Sequence, residues 1–392
     1  MKKFEKNCLK FLLKMVSTKS LSKNENAISE IVAKEMMALN YDDVKIDKLG
    51  SVVGRIGNDI SQNGKKILFD AHIDTVGIAD IKQWNTNPFK AVYKNGVVYG
   101  RGSCDDKGCV ASMVYAGSLI KKLGLLGNST LYVSASVQEE TAEGCGIDYV
   151  LKKLKFRPDC VVIGEPSNLK IVRGHKGRAE IKITAIGKSC HASTPSEGEN
   201  AIYKILPIIE HIDKLNKEYK STSQLGKPTI SVTQIETKNA STNTISDNCT
   251  IYIDRRTVDG ETKKKIDGEL EKICCKNIKI EYLKKFFSAW ILPKEHSLVE
   301  AAILSYKKAY SQPNRRQGQY GRRTSKKNPD VILWPFCTNG SFTMGEKKIP
   351  TIGFGPGEEK YAHIANEQIK FRDVLTAIKF YSIFPSTFSS KK

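Results

Sequence analysis

Four apolar runs in this chain each deliver an acid or a histidine just past their ends, and that repetition narrows the fold more than any other feature. Residues 67–74 read ILFDAHID. Ile67, Leu68 and Phe69 suit a buried strand that runs into Asp70, His72 and Asp74, and His72 and Asp74 share one face, because alternate residues of a strand point the same way. The run at 130–138 leads into Glu139 and Glu140, and CVVIG at 160–164 leads into Glu165. IPTIGFG runs into a glycine-rich turn and then His363. Between these runs, VASMVYAGSLIKKLG has helical spacing and a stop signal at Gly124. Strands alternating with helices predict an α/β layer fold with a mostly parallel sheet. Such sheets place ligands beyond the carboxyl ends of their strands.

Taken singly, each feature has an ordinary explanation. His72 and Asp74 could be a surface pair. Asp105 and Asp106, in GRGSCDDKG at 100–108, could be acids favoured at a helix start. Glu139 and Glu140 could be solvated acids at a turn. Together they form a set of carboxylates and imidazoles that hard and borderline metals prefer, and paired metals typify hydrolytic sites. Adjacent carboxylates such as Glu139 and Glu140 repel unless a cation lies between them. The residues therefore predict a metal-dependent hydrolase with a dinuclear site. Spacing alone leaves open whether Asp74 is a ligand or the carboxylate that orients the His72 ring.

From about residue 179 the texture changes. AEIKITAIG, ISVTQIE, CTIYIDRR and IKIEYL alternate like half-buried strands, while AIYKILPIIEHIDKLNKEY and KKKIDGELEKICC have helical spacing. Their order is β-α-β-β-α-β, the ferredoxin-like split unit. The α/β texture resumes with LVEAAILSYKKAY and closes with DVLTAIKFYSIF. The prediction is a discontinuous catalytic domain, 1–178 and 290–392, with an inserted α+β domain at 179–289.

Lys plus Arg is 63 against 42 Asp plus Glu, a formal charge of +21. The lysines are dispersed, which makes a soluble surface more often than a nucleic-acid stripe. The exception is 311–330, SQPNRRQGQYGRRTSKKNPD, expected to be an exposed basic loop. It leaves a polyanion-binding protein as the rival to an enzyme. Ten cysteines without any Cys-x-x-Cys pair read as reduced thiols of a cytoplasmic protein. MKKFEKNCLKFLLKMV is broken by lysines and reads as an amphipathic helix, not a signal peptide or membrane span.

DAHIDTVG, ASMVYAG, VQEE, RGHKGRAEI, SCHASTP, DRR, TNG and GFGPG occur in an order that resembles the dinuclear zinc peptidase and deacylase family. That family contains acetylornithine deacetylase, succinyl-diaminopimelate desuccinylase and glutamate carboxypeptidase. The motifs are most similar to its selenium-metabolism-linked hydrolase branch. The resemblance implies His72 and Glu165 as ligands of one metal and Glu140 and His363 as ligands of the other. Asp105 is then the bridging ligand, with a cis Asp105–Asp106 peptide. It implies Glu139 as general base and Asp74 as the carboxylate behind His72. His191 resembles a histidine that reaches across a dimer to stabilise the oxyanion. Asn243 and Arg256 resemble residues that hold a substrate carboxylate, and the inserted domain becomes a dimerisation lid. The implied cofactors are two divalent ions, zinc first, with cobalt or manganese as alternatives. The implied substrate is an N-acyl amino acid or a short peptide, so a dipeptidase or carboxypeptidase is the alternative within the family. Glu165, where aminopeptidases carry Asp, tilts the expectation towards deacylation. Gln138 departs from the Asp found in many relatives.

Overall fold

The four runs singled out above form neighbouring strands. The computed structural model describes residues 2–58, 64–141, 144–154, 156–239, 241–272, 277–310 and 328–390. Most of the predicted basic loop, 311–327, lies outside the described residues. The chain divides into two compact units: Met1–Gly174 with Leu292–Leu333 and Thr338–Lys392, and His175–Ile291 with Trp334–Cys337.

The first unit opens with helices α1 (Lys3–Val16) and α2 (Asn26–Ala38), strands β1 (Asp43–Ile46), β2 (Val52–Ile56), β3 (Lys65–His72), β4 (Val92–Lys94) and β5 (Val97–Tyr99). Helix α3 (Lys107–Leu123), β6 (Ser129–Ser136), α4 (Cys145–Leu154), β7 (Cys160–Ile163) and β8 (Ile171–His175) follow. The second unit carries β9 (Gly177–Ile186), α5 (Ala201–Glu218), β10 (Thr229–Thr237), β11 (Asn248–Thr257), α6 (Lys263–Glu271), β12 (Ile278–Tyr282) and β13 (Trp290–Ile291). The chain then runs through α7 (Ser297–Tyr310), β14 (Val331–Trp334), β15 (Thr351–Gly353), β16 (Gln368–Lys370) and α8 (Phe371–Ser389).

The large sheet has the order β1-β2-β6-β3-β7-β15-β8. Its centre, β6-β3-β7-β15, is parallel, and β1-β2, β2-β6 and β15-β8 are antiparallel. Every residue of β6, β7 and β15 is buried. Strands covered on both faces read as continuous apolar runs, which is why no alternation marks them. Helix α3 covers this sheet with Val110, Met113, Val114 and Ile120 fully inside, and it ends at Gly124 in the left-handed conformation, φ +62°. Parallel central strands bring four carboxyl ends to one edge, and so gather residues far apart in sequence.

In the second unit the sheet order is β10-β11-β9-β12, antiparallel throughout. This is the split β-α-β-β-α-β arrangement. Ile181 and Ile183 face α5, which contributes Ile205, Ile208 and Ile212, while α6 contributes Ile266 and Leu270 to the same core.

His175 belongs to this unit and is fully buried. Its Nδ1 lies 2.7 Å from the Lys176 carbonyl and its ring meets Trp290 edge-on at 5.1 Å. Burial pushes its pKa down to about 4. The unfolded chain takes up this proton below the ordinary value near 6.5, whereas the folded chain resists until about 4. Stability is therefore full above that ordinary value and falls as pH drops through this window, by up to about 3 kcal/mol. Urea unfolding at successive pH values is expected to show His175→Gln losing less stability than the wild type over this range. Equal slopes would refute the assignment.

The eight cysteines among the described residues are free thiols, and six of them are buried. Among the described residues no helix is long and apolar enough to cross a membrane.

Candidate metal centre

The carboxyl ends of the parallel strands converge on one acidic cluster. His72 ends β3, where it pairs in register with Ser136 of β6. Its ring is 2 % exposed. Nδ1 lies 3.0 Å from the Asp74 carbonyl oxygen and 3.4 Å from Asp74 Oδ1. A proton on Nδ1 is thus satisfied by Asp74, and the Nε2 lone pair is left for the cluster. Nε2 is 3.0 Å from Asp105 Oδ1 and 3.8 Å from Glu165 Oε1.

Asp74 does more than orient the ring. Its Oδ1 accepts from the Glu139 N–H at 3.1 Å, and Oδ2 accepts from the Glu140 N–H at 3.1 Å and the Ser22 hydroxyl at 2.7 Å. One buried carboxylate therefore holds the end of β3 and the turn that follows β6. That turn passes through Gln138 with φ +59°, and the Gln138 N–H donates to Glu25 Oε1 at 3.1 Å. Glu139 and Glu140 are brought beside the strand end in this way. Asp74→Asn keeps the shape but weakens the acceptors facing the ring. It is expected to lower metal affinity about 10- to 100-fold while the circular dichroism spectrum stays that of the wild type. Titration with a chromophoric chelator checks this, and unchanged affinity would contradict it.

Glu165 follows β7 by way of Gly164, where any Cβ would approach Cys109 Cβ to 2.9 Å and Ala71 Cβ to 3.0 Å. Only glycine lets that backbone lie against α3 and β3 so closely. His363 comes from the loop beyond β15, in a left-handed conformation at φ +60°. Its Nε2 is 3.2 Å from Asp105 Oδ2 and 3.0 Å from Glu140 Oε2. The Asp105–Asp106 peptide is cis. The Asp105 carboxylate thus offers one oxygen to His72 and the other to His363.

Two groups have the density of a metal site, with ligand atoms all within 4.8 Å: His72, Asp105 and Glu140, and His72, Asp106 and Glu165. The electrostatics show the same crowding. Burial and the neighbouring Asp105 charge raise Glu165 well above the carboxylate range. Burial and Asp105 likewise raise Glu140. Burial opposes ionisation of Asp105, but hydrogen bonds with His363 and His72 hold its carboxyl below the usual range. Hydrogen bonds to Asp105 and Glu140 raise His363 to about 10. Carboxylates forced together with imidazole nitrogens aimed at their oxygens are a donor set that divalent cations satisfy. The residues fit a pair of divalent ions.

Of the residues predicted for this centre, the structure brings together His72, Asp74, Asp105, Glu139, Glu140, Glu165 and His363. Sequence reasoning gave the Asp106 side chain no role beyond helix capping, and missed Glu367 and Ser22. Asp106 is fully buried, and its Oδ2 accepts from the His72 N–H at 3.2 Å. Asp70, on the same strand face as His72, turns out to be a scaffold residue. Its Oδ2 accepts from Asn339 Nδ2 at 2.9 Å, and Asn339 Oδ1 accepts from the Gly144 N–H at 2.8 Å.

The remaining predicted residues lie in the second unit. His191 Nδ1 accepts from the Ser193 N–H at 3.1 Å, which places the proton of the neutral ring on Nε2. Asn243 Nδ2 is 3.4 Å from that Nε2. Arg256 is near the far end of β11, and its guanidinium binds Asp254 at 2.6 and 3.2 Å. Asn248 and Arg256 are eight residues apart on one strand, about 26 Å at the usual strand rise. The Asn243 carbonyl accepts from the Ala192 N–H at 2.8 Å, beyond the Ile186 end of β9 that pairs with Asn248, so within one chain Asn243 and Arg256 lie towards opposite ends of the sheet.

Carboxylates and imidazoles gathered at the carboxyl edge of a parallel sheet, with a donor set that suits two divalent ions, fit a metal-dependent hydrolase. The sequence profile of peptidase family M20/M25/M40 matches residues 68–385, and the chain belongs to that family. It is 34 % identical over 404 residues to the uncharacterized protein YgeY of Escherichia coli K12, covering 98 % of this chain and 95 % of that one. It is 28 % identical over 312 residues to acetylornithine deacetylase of Buchnera aphidicola, covering 78 % and 76 %. Among solved structures, the M20 family metallo-carboxypeptidase Sso-CP2 from Sulfolobus solfataricus aligns with TM-score 0.75 at 20 % identity, over 99 % of this chain and 100 % of that one.

Proposed function

We propose that this metal-dependent amidohydrolase is a two-zinc deacylase of N-acyl amino acids, with Glu139 as its proton acceptor. The observation that carries the two-metal arrangement is the division of Asp105, Oδ1 towards His72 and Oδ2 towards His363. In this reading His72 and Glu165 complete one site, Glu140 and His363 complete the other, and Asp105 is common to both. Two divalent ions bound there supply an acidified water and a polarised carbonyl.

The chain's own residues do the rest. Asp74 keeps the Glu139 backbone in place, so the carboxylate takes a proton and returns it to the departing amine. His191, with its proton on Nε2, donates to the oxygen of the tetrahedral carbon. Asn243 and Arg256 hold the substrate carboxylate, for which a guanidinium is well shaped. Because Asn243 and Arg256 are far apart on one chain, we assign their joint use to a homodimer formed through the inserted unit. The exposed apolar side chains Tyr203, Leu206 and Ile235 of that unit support this pairing, at 71, 45 and 53 % exposure.

Glu165 and the 28 % identity to a deacetylase favour N-acyl amino acids over peptides. The test is zinc-reconstituted protein assayed against N-acetyl, N-succinyl and N-carbamoyl amino acids beside dipeptides, with metal content measured by emission spectroscopy. Two zinc ions per chain and turnover of at least one acyl amino acid are expected. Turnover of dipeptides alone would reassign the enzyme as a dipeptidase, and a chain without metal would sink the reading.

A further inference from the structure

Glu367 is fully buried and lies four residues after His363, outside both metal-binding groups. Its carboxylate is saturated. Oε1 accepts from the Cys104 and Asp105 N–H groups at 2.8 and 2.9 Å, and Oε2 accepts from Arg101 Nη1 and the Gly102 N–H at 2.7 and 2.8 Å. Its backbone carbonyl accepts from the Gly100 N–H at 3.0 Å, where β16 begins to pair with β5. Beside it, Asn366 Oδ1 accepts from the Asn85 N–H at 2.7 Å and Asn366 Nδ2 donates to the Gln83 carbonyl at 2.9 Å.

These bonds tie the loop carrying His363 to the loop carrying Asp105. His363 itself is half-exposed, and its ring Nε2 meets the cluster at Asp105 and Glu140. A half-exposed ring on a surface loop holds a fixed distance to Asp105 only if the loop base is fixed. We infer that Glu367, assisted by Asn366, is the positioning residue that sets His363 against Asp105 and so determines occupancy of the second metal site. His72 is anchored separately, through Asp74, and Glu367 has no bond to it. Because Asp105 is common to both sites and its N–H also donates to Glu367, the first site is touched as well, and the larger effect falls on the site that Glu140 and His363 complete.

The inference rests on the two-metal reading, and the experiment separates the two. Glu367→Gln keeps the volume but aims an amide N–H at two existing donors, which cannot accept, so two of the four bonds are lost. Wild type and variant are titrated with cobalt, following visible absorption and bound metal by equilibrium dialysis, with circular dichroism as the check on folding. The wild type is expected to bind two ions. The variant is expected to keep the tighter ion and bind the second about 10- to 100-fold more weakly, with loss of the corresponding absorption band. Asn366→Gly, which tolerates the left-handed φ of +59° at that position, is expected to weaken the second ion several-fold and serves if Glu367→Gln does not fold. Two ions bound with wild-type affinity and spectrum in both variants would overturn the inference alone. Loss of both ions from a folded Glu367→Gln would overturn its selectivity. Failure of the wild type to bind metal would overturn the two-metal reading itself.

Discussion

Glu139→Gln is expected to lower kcat about 1000-fold, within the range for removing a general acid–base group, while KM and bound metal remain those of the wild type. Gln fills the same volume and can still accept a hydrogen bond, but it cannot take a proton at neutral pH. The side chain is 6 % exposed, so bulk water does not replace it as a base. Its backbone is held by Asp74, so the substitution leaves the turn in place and Glu140 stays where it is. The measurement is steady-state kinetics on metal-loaded protein, with metal content determined on the same sample. Retention of more than a tenth of the wild-type kcat would remove Glu139 from its assigned role. A parallel loss of metal would instead make it a ligand.

The sequence makes the site legible where strand ends carry it. His72, Glu139, Glu140 and Glu165 each follow a run of apolar residues, and the prediction that such runs are neighbouring parallel strands is enough to bring them together. The β-α-β-β-α-β insertion is legible for the same reason: its alternation is local, as in Ile181 and Ile183 facing the core on either side of Lys182. What is illegible depends on partners far along the chain. Glu367 bonds to residues 262 to 266 positions away, Glu25 to a residue 113 away and Ser22 to a residue 52 away. No periodicity announces such pairs. Asp106 is hidden for another reason. It stands next to Asp105 and at the start of α3, where an acid is expected for helix capping alone, yet it makes no side-chain cap bond there and accepts from the backbone of His72 instead.

Asp105→Ala is expected to abolish binding of both metals, whereas His72→Ala is expected to empty one site. The difference follows from where the oxygens point. His72 Nε2 faces one side of the Asp105 carboxylate, and His363 Nε2 faces the other. Removing His72 leaves His363, Glu140 and Asp105 together; removing Asp105 takes away the carboxylate that the two proposed sites share. Activity should be lost with the metals. Stability gives a second readout. Ions that bind only the folded chain stabilise it by about 2.7 kcal/mol each at 100-fold excess over Kd, so added zinc should raise the Tm of the wild type, raise that of His72→Ala less, and leave that of Asp105→Ala unchanged. Without metal the order should narrow or reverse, because Asp105 is one of several acids crowded around Glu165 and its charge raises the carboxyl groups beside it. Deleting that charge relieves this repulsion, against the loss of its hydrogen bonds with His72 and His363. A zinc-dependent Tm rise in Asp105→Ala as large as in the wild type would show that the bridging role belongs to another carboxylate, and Asp106, within the second ligand group, would be the residue to replace next.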